Sequence, residues 1–398
     1  MSKLVISGIH SISPLGATAE AVRAAYEAGR SVIKIVEIGG ELVPVAPISL
    51  EGESALEALI KECPRYRELD RTVLLAIVAA RGAFKASKLG EGSRLTGISV
   101  GSSRGATQLL EQSFSAFVRS GKVPTPTSPV TTLGNISSWV AQDLMVSGFT
   151  MSHSVTCSTG LHAIVNAVAW IKSGLCDHVI AGASEAALTP FTIAQMKALR
   201  IYSRDLKSPY PCRPLRSDAQ EVQDGLVLGE GAALSVVESK ESALKRGLDA
   251  SSFVELSGIG YAMEPIESAT GITENGVGFE RAMRQAIESS GSEEVDCVIA
   301  HAPGTAKGDR AEIEAIGRTF TTQTPAILSN KWITGHTFAA AGMINLELAS
   351  LLLSGMAAPK LPYSTSVNNT VTQPIRRVMI NAAGFGGNAV SLILQKDS

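Results

Sequence analysis

Cys157 lies between a β-rich approach, Ser154-Val155-Thr156, and an apolar helical run that opens with Ser158-Thr159-Gly160-Leu161. A cysteine at such a turn sits near unsatisfied N–H groups and the positive end of the helix dipole. Both favour the thiolate, the nucleophilic form. The same N–H groups can face an oxyanion as it develops. A small buried thiol that merely fills space has the same local sequence, so Cys157 needs partners before it implies chemistry. Two histidines offer that partnership. His301 follows apolar Val298-Ile299-Ala300 and opens the loop His301-Ala302-Pro303-Gly304-Thr305, a placement suited to a site at the carboxyl edge of a sheet. His336 stands in Thr334-Gly335-His336-Thr337, again just before a buried helix. Together the three supply a nucleophile, a proton-handling group and an electrophilic stabiliser. His10, His153 and His178 lack that placement and read as packing or surface residues. His162, in the first helical turn after Cys157, could support the site.

Lys331 sits five positions before His336, between Asn330 and Trp332. A partly buried lysine calls for a carboxylate, and Glu312 and Asp309, after the His301 loop, are the natural candidates. A solvated lysine is the alternative. Two glycine clusters, Gly225 to Gly231 and Gly384-Phe385-Gly386-Gly387, match neither a phosphate loop nor the strand-GxGxxG-helix spacing of a dinucleotide site. The second reads as a strand end passing into a tight turn, close enough to approach a ligand, with Phe385 as a lid. The other cysteines (63, 176, 212 and 297) are scattered, without a CxxC pair or metal-ligand spacing, which fits free thiols in a reducing cytoplasm.

The elements that must position these residues alternate along the whole chain. Strands are expected at Leu4–Ile9, Gly97–Val100, His178–Ala181, Ala233–Glu238, Val254–Ile259, Cys297–Ala300, Val378–Asn381 and Val390–Leu394. Helices are expected at Thr18–Gly29, Asp70–Lys88, Leu161–Gly174, Val277–Gly291, Asp309–Phe320 and Thr337–Gly355. This is an α/β pattern. The runs 161–175 and 343–353 are apolar on nearly all sides, as in helices buried between layers. A charged crossover near 238–248 divides the chain into halves, 1–240 with the cysteine and 241–398 with both histidines. Each half runs a small-residue turn into a buried helix, so a divergent duplication is one reading. With 398 residues, 45% of them hydrophobic, the chain can bury a large core. A net charge of -2, without a basic block, argues against a nucleic-acid or membrane-surface partner. The opening residues do not read as a signal peptide, and no apolar run is long enough to span a membrane.

In this order the motifs resemble the elongating β-ketoacyl-acyl-carrier-protein synthases of the thiolase superfamily, nearly end to end. They run from Gly8 and Ser13-Pro14-Leu15-Gly16 through Cys157-Ser158-Thr159-Gly160 and Gly182-Ala183-Ser184-Glu185-Ala186. Asp224-Gly225, Gly229-Glu230-Gly231, His301, Lys331, Gly335-His336 and Gly384-Phe385-Gly386-Gly387 complete the set. The resemblance implies a duplicated five-layer α-β-α-β-α fold, a dimer, and a Cys-His-His centre. Cys157 would take an acyl chain from an acyl carrier protein. His301 and His336 would bind the malonyl thioester of a second carrier and promote its decarboxylation. Phe385 would share the oxyanion hole and gate the malonyl side, Lys331 and Glu312 would support the site as a pair, and Thr305, Thr337 and Gly386 would meet the phosphopantetheine arm. No cofactor or metal is implied, since the arm arrives on the carrier.

Three departures bear on substrate more than on reaction. Pro303 replaces the usual first threonine of the histidine loop, although Thr305 keeps the second. The stretch Arg213 to Gly225 is longer than usual, and Asn388 stands where threonine is common. These features favour a specialised synthase for polyene or polyketide-like chains, either a homodimer or the catalytic half of a heterodimer with a chain-length factor. A thiolase would need a second cysteine in the C-terminal glycine turn, which holds none. Initiating synthases pair cysteine with histidine and asparagine. A non-catalytic chain-length-factor subunit would lack the nucleophile.

Overall fold

The computed structural model describes residues 3–90, 95–131, 133–217, 225–265, 273–371 and 374–396. Ten strands form one sheet. They are β1 (Leu4–Ile12), β2 (Thr96–Gly101), β3 (Thr150–Met151), β4 (His178–Glu185), β5 (Gly231–Ser239), β6 (Val254–Met263), β7 (Cys297–Ile299), β8 (Ala326–Leu328), β9 (Arg377–Gly384) and β10 (Asn388–Gln395). Their spatial order is β3-β2-β4-β5-β1-β6-β10-β9-β7-β8. Read outward from the middle, the first half runs first, fifth, fourth, second, third strand. The second half repeats that order. The pairing senses repeat too: β2 is parallel to β3 and β4, while β4–β5 and β5–β1 are antiparallel. Likewise β7 is parallel to β8 and β9, while β9–β10 and β10–β6 are antiparallel. Such a repeat of order and sense supports the duplication read from the two turns. The halves join where β1 meets β6, with Val5 opposite Glu255 and Ile6 opposite Val254.

Six helices matter for the layers: α1 (Ala19–Ala28), α2 (Arg71–Ala86), α3 (Thr159–Lys172), α4 (Val277–Ser290), α5 (Ala306–Thr319) and α6 (Ala341–Leu353). Their starts follow local capping chemistry. The side chain of Thr18 accepts from Ala21 N and that of Asp70 from Thr72 N, each satisfying an N–H that the helix leaves open. Helix α2 packs on β1, β4 and β5, and α4 packs on β6 and β10. Helices α3 and α6 touch each other and strands of both halves, so they form the middle layer. This is the five-layer thiolase-like arrangement. Burial on nearly every side explains why α6 is largely apolar, although Asn345 and Glu347 are buried in it too.

The expected helix over 337–355 is interrupted: Phe338–Ala340 is a 3-10 turn, and α6 proper starts at Ala341. A small sheet of Lys34–Ile38, Glu41–Ala46 and Leu228–Gly229, absent from the sequence expectations, covers the side where Cys157 lies. Asp224 and most of the long stretch after Arg213 fall outside the described residues.

Candidate active site

Cys157 occupies the turn ahead of α3, and Thr156 before it has φ 49°. A β-branched residue in the left-handed region is strained, so the surroundings must hold it there. Thr159 Oγ1 donates to Thr156 O at 2.6 Å and accepts from Val155 N at 2.8 Å. Thr156 Oγ1 donates to Phe385 O at 3.1 Å, tying the turn to the β9–β10 connection. Gly384 lies against the same turn: a Cβ there would stand 3.0 Å from Cys157 N and collide with Thr156 Oγ1. The residue type at 384 is therefore set by this approach.

His301 leaves β7 and has both its own N–H and that of Ala302 fixed by one buried carboxylate. Glu312, on α5, accepts from His301 N at 2.9 Å and from Ala302 N at 2.8 Å. Asn381, on β9, donates to the same carboxylate at 3.0 Å and is itself oriented by Ser391. His336 is held by the glycine-rich stretch of the first half. His336 N donates to Val227 O at 2.6 Å, and Gly229 N donates to His336 O at 3.0 Å. That pairing is what the Gly225–Gly231 cluster is for, since a Cβ on Gly229 would meet Thr334 O at 2.6 Å.

These residues converge. Cys157, His301, His336, Thr305 and Phe385 line one cavity of about 150 Å³, with Phe338, Pro303 and Lys307 also on its wall. The two imidazoles stand 5.2 Å apart, edge to face, and His336 meets the Phe338 ring at 5.5 Å. Burial pushes His301 down to about 3, helped by the charge of Lys331. It takes His336 well below the ordinary histidine range, with His301 and Lys331 adding to the effect. Both rings are thus neutral and can each donate one N–H.

Burial acts the opposite way on Cys157, raising the thiol to about 12, with Glu185 reinforcing and Lys331 opposing. The turn was expected to favour thiolate. The rise from an ordinary value near 9 is worth roughly 4 kcal/mol, more than the typical 0.3–1 kcal/mol of a helix terminus. Desolvation wins, and the resting group is the thiol.

Lys331 is 1% exposed, and its Nζ has no hydrogen-bond partner among the described residues. Burial lowers it to about 8, with Glu312 the largest opposing influence. The expected Lys331–Glu312 pair is therefore a longer-range attraction and not a contact: Glu312 is already occupied by two backbone N–H groups and Asn381. Asp309 likewise accepts from Leu215 N and Gly304 N, bracing the histidine loop. Thr337 and Gly386 do not reach the cavity wall. Thr337 is buried against Gly229, and Gly386, at φ 94°, turns the chain toward Asn388. His162 bonds Ser158 O through Nδ1, within its own helical turn.

Three contributors had no role in the sequence reading. Phe338 adopts φ 46° and was hidden inside an expected helix. Asn381 stood only at a strand end. Glu185 belonged to a recognised motif but had no assigned task. It takes the hydroxyls of Ser102 and Ser103 at 2.9 and 2.5 Å and Ala339 N at 3.3 Å, joining both halves behind the nucleophile.

Comparison with known proteins agrees with this site. Residues 1–243 match the N-terminal domain of β-ketoacyl synthases and residues 253–363 match the C-terminal domain. The 3-oxoacyl-[acyl-carrier-protein] synthase 2 of Coxiella burnetii is 30% identical over 99% of this chain and 98% of its own. That of Vibrio cholerae is 29% identical over 99% of each. Among solved structures, a β-ketoacyl synthase from Burkholderia phymatum shares the fold with TM-score 0.83 at 24% identity, covering 100% of both chains. The ishigamide ketosynthase/chain length factor does so with TM-score 0.84 at 24% identity, again over 100% of each. The chain belongs to the β-ketoacyl synthase family of condensing acyltransferases.

Proposed function

We propose that this chain is a β-ketoacyl-ACP synthase that joins an acyl group on Cys157 to a malonyl unit with loss of CO2. The observation that carries the reading is one small cavity bordered by a buried thiol and two neutral imidazoles. The Cys157 sulfur attacks the acyl thioester of the carrier protein. The new C–S bond replaces the bond to phosphopantetheine, whose thiol leaves with the cysteine's proton. Backbone N–H groups of Cys157 and Phe385 stabilise the tetrahedral oxyanion. Malonyl-ACP then enters, and His301 and His336 donate to its thioester carbonyl. CO2 departs, leaving an enolate whose negative charge those two donors meet. Its α-carbon bonds to the acyl carbon, the C–S bond to Cys157 breaks, and a proton from solvent restores the thiol. Decarboxylation generates the carbanion without a strong base, so neutral donors suffice and no metal or cofactor is required. Thr305 and Lys307, at the cavity wall, are suited to the phosphopantetheine arm and to an acidic carrier.

The working unit is a dimer in the cytoplasm. Leu110, Phe114, Phe117 and Val118 are each at least half exposed on the helix Thr107–Ser120. Their i, i+4, i+7, i+8 spacing makes one apolar face, which a second subunit would cover. Among the described residues no helix is long and apolar enough to cross a membrane. A homodimer is the first reading. A heterodimer with a chain-length factor is the second, favoured by Pro303 and Asn388, and native mass spectrometry separates them.

The test is intact-protein mass spectrometry after incubation with a panel of acyl-ACP thioesters, with Cys157→Ala as control. A mass gain confined to wild type supports the acyl-enzyme. A folded wild-type protein that accepts no donor overturns the reading.

A further inference from the structure

Both backbone groups of His336 are fixed by the stretch that holds the strand Leu228–Gly229, through Val227 O and Gly229 N. That strand is only two residues long. It bridges to His336 on one side and pairs with Val45 and Ala46 on the other. Neutral backbone bonds are individually modest, and two residues can make only a few of them. The next residue, Glu230, lies between this strand and β5, and its side chain is only 6% exposed.

A carboxylate inside a fold must be answered by donors. Glu230 Oε1 accepts from Arg71 Nη2 at 2.9 Å and Oε2 accepts from Arg71 Nε at 3.0 Å, a forked, charge-assisted pair. Ile48 N adds a bond to Oε1 at 3.3 Å, and Glu230 N donates to Ala46 O at 3.1 Å. Arg71 is in turn well anchored. It is the first residue of α2, beside Asp70, whose carboxylate takes Thr72 N and Leu109 N. The far edge of its guanidinium meets Glu53, on the helix Leu50–Glu62. Charge-assisted bonds are about twice as strong as neutral ones, so the fork is the strongest single constraint on residues 228–230. Two apolar side chains could fill the same space, but only the fork also fixes direction and register.

We propose that Glu230, clamped by Arg71, is a positioning residue for His336. The fork pins the 228–230 stretch to the first turn of α2, and that stretch sets where the His336 ring meets the malonyl carbonyl. The relay passes from Arg71 through Glu230 and Gly229 to His336. It therefore acts on malonyl decarboxylation and leaves the loading of Cys157 alone. A shift of about 1 Å at the donor is enough to slow such a step strongly. This rests on the reading of His336 as a donor to that carbonyl.

The experiment reads the two half-reactions separately on one folded preparation: mass gain on Cys157 from an acyl-ACP, and CO2 release from malonyl-ACP. Glu230→Gln keeps the shape and removes the charge. Its CO2 release should fall roughly tenfold, the scale of one charge-assisted bond, while loading proceeds at the wild-type rate. Arg71→Lys keeps the charge without the fork and should lie between the two. In a His336→Ala background, adding Glu230→Gln should slow CO2 release no further, because the relay then ends on a missing ring. Equal loss of both half-reactions in Glu230→Gln, or a further fall in the double variant, overturns the inference and assigns the pair to the fold alone. Wild-type CO2 release in Glu230→Gln beside an impaired His336→Ala overturns it too, and leaves the reading of the site intact. Wild-type CO2 release in His336→Ala removes that reading and this inference together. Should Glu230→Gln not fold, Arg71→Lys carries the same comparison.

Discussion

Thr156 donates its hydroxyl hydrogen to the carbonyl of Phe385, 3.1 Å away and 229 positions along the chain. The bond spans the two halves at the nucleophile itself and helps hold Thr156 at φ 49°. Thr156→Val keeps the shape and loses the donor. Its acylation rate should fall about tenfold, the scale of one net hydrogen bond at a strained position. Thr156→Ser should restore most of the rate in the same stopped assay. A valine variant acylated at the wild-type rate would remove the bond from the positioning of Cys157.

Gly384 offers a harsher test of the same junction. With a Cβ 3.0 Å from Cys157 N and in collision with Thr156 Oγ1, Gly384→Ala must displace one turn or the other. We expect loss of about 1–3 kcal/mol of stability, as for overpacking elsewhere, together with a drop in acylation larger than that of Thr156→Val. Calorimetry and adduct formation measure the two effects. Unaltered kinetics in a variant of unaltered melting temperature would contradict the close approach.

His301 and His336 should make no acidic limb in the rate profile near the usual histidine range. Burial keeps His301 at about 3 and His336 well below its ordinary value, so both remain neutral through the usual histidine range. The rate of malonyl-ACP decarboxylation should therefore show no inflection near pH 6.5 that disappears in His301→Asn. His336→Ala should still accept an acyl group on Cys157 yet decarboxylate malonyl-ACP slower by roughly 100-fold, the scale of one lost donor at a developing charge. Equal loss of both steps would mean that the histidine only supports the fold.

Lys331 gives a stability signature. Its folded value of about 8 lies below the ordinary 10.5, so between those limits the unfolded chain binds more protons and this group makes stability rise with pH. The cost of holding it charged is fully present below about 8, at most roughly 3 kcal/mol. Lys331→Met should accordingly raise the melting temperature at pH 7, with a gain that shrinks toward pH 10. A gain independent of pH would show that packing and not charge is responsible.

What could be read in the sequence divides along physical lines. Strands and helices with a continuous apolar face, such as β1, β4, α2 and α4, were legible because burial fixes their periodicity. The trio Cys157, His301 and His336 was legible because each stands in a short turn or loop just ahead of a helix. The hairpin of Lys34–Ile38 and Glu41–Ala46 carried a readable signal that went unread: Gly39-Gly40, both at positive φ, is a two-residue turn between alternating runs. Phe338 could not be found this way, because its left-handed backbone is imposed by neighbours distant in sequence. The same is true of the thiol state of Cys157, since depth of burial is a property of the whole fold. Nor could residue types give the spacing of Lys331 and Glu312: opposite charges suggested a pair, and the carboxylate proved committed to the backbone.

The meeting of β1 with β6, and the middle layer that both halves share, have a consequence for how the molecule comes apart. One continuous hydrophobic cluster runs from Leu4 and Ile6 through Leu161 and Ile344 to Leu394, so the two halves share their largest interior, beside a second cluster that lies within the first half alone. Melting should be a single cooperative transition, and a nick between Lys245 and Val254 should leave two fragments that hold structure only while associated. The ancestral unit of such a duplication could have stood alone only as a pair of identical chains, each closing the other's core.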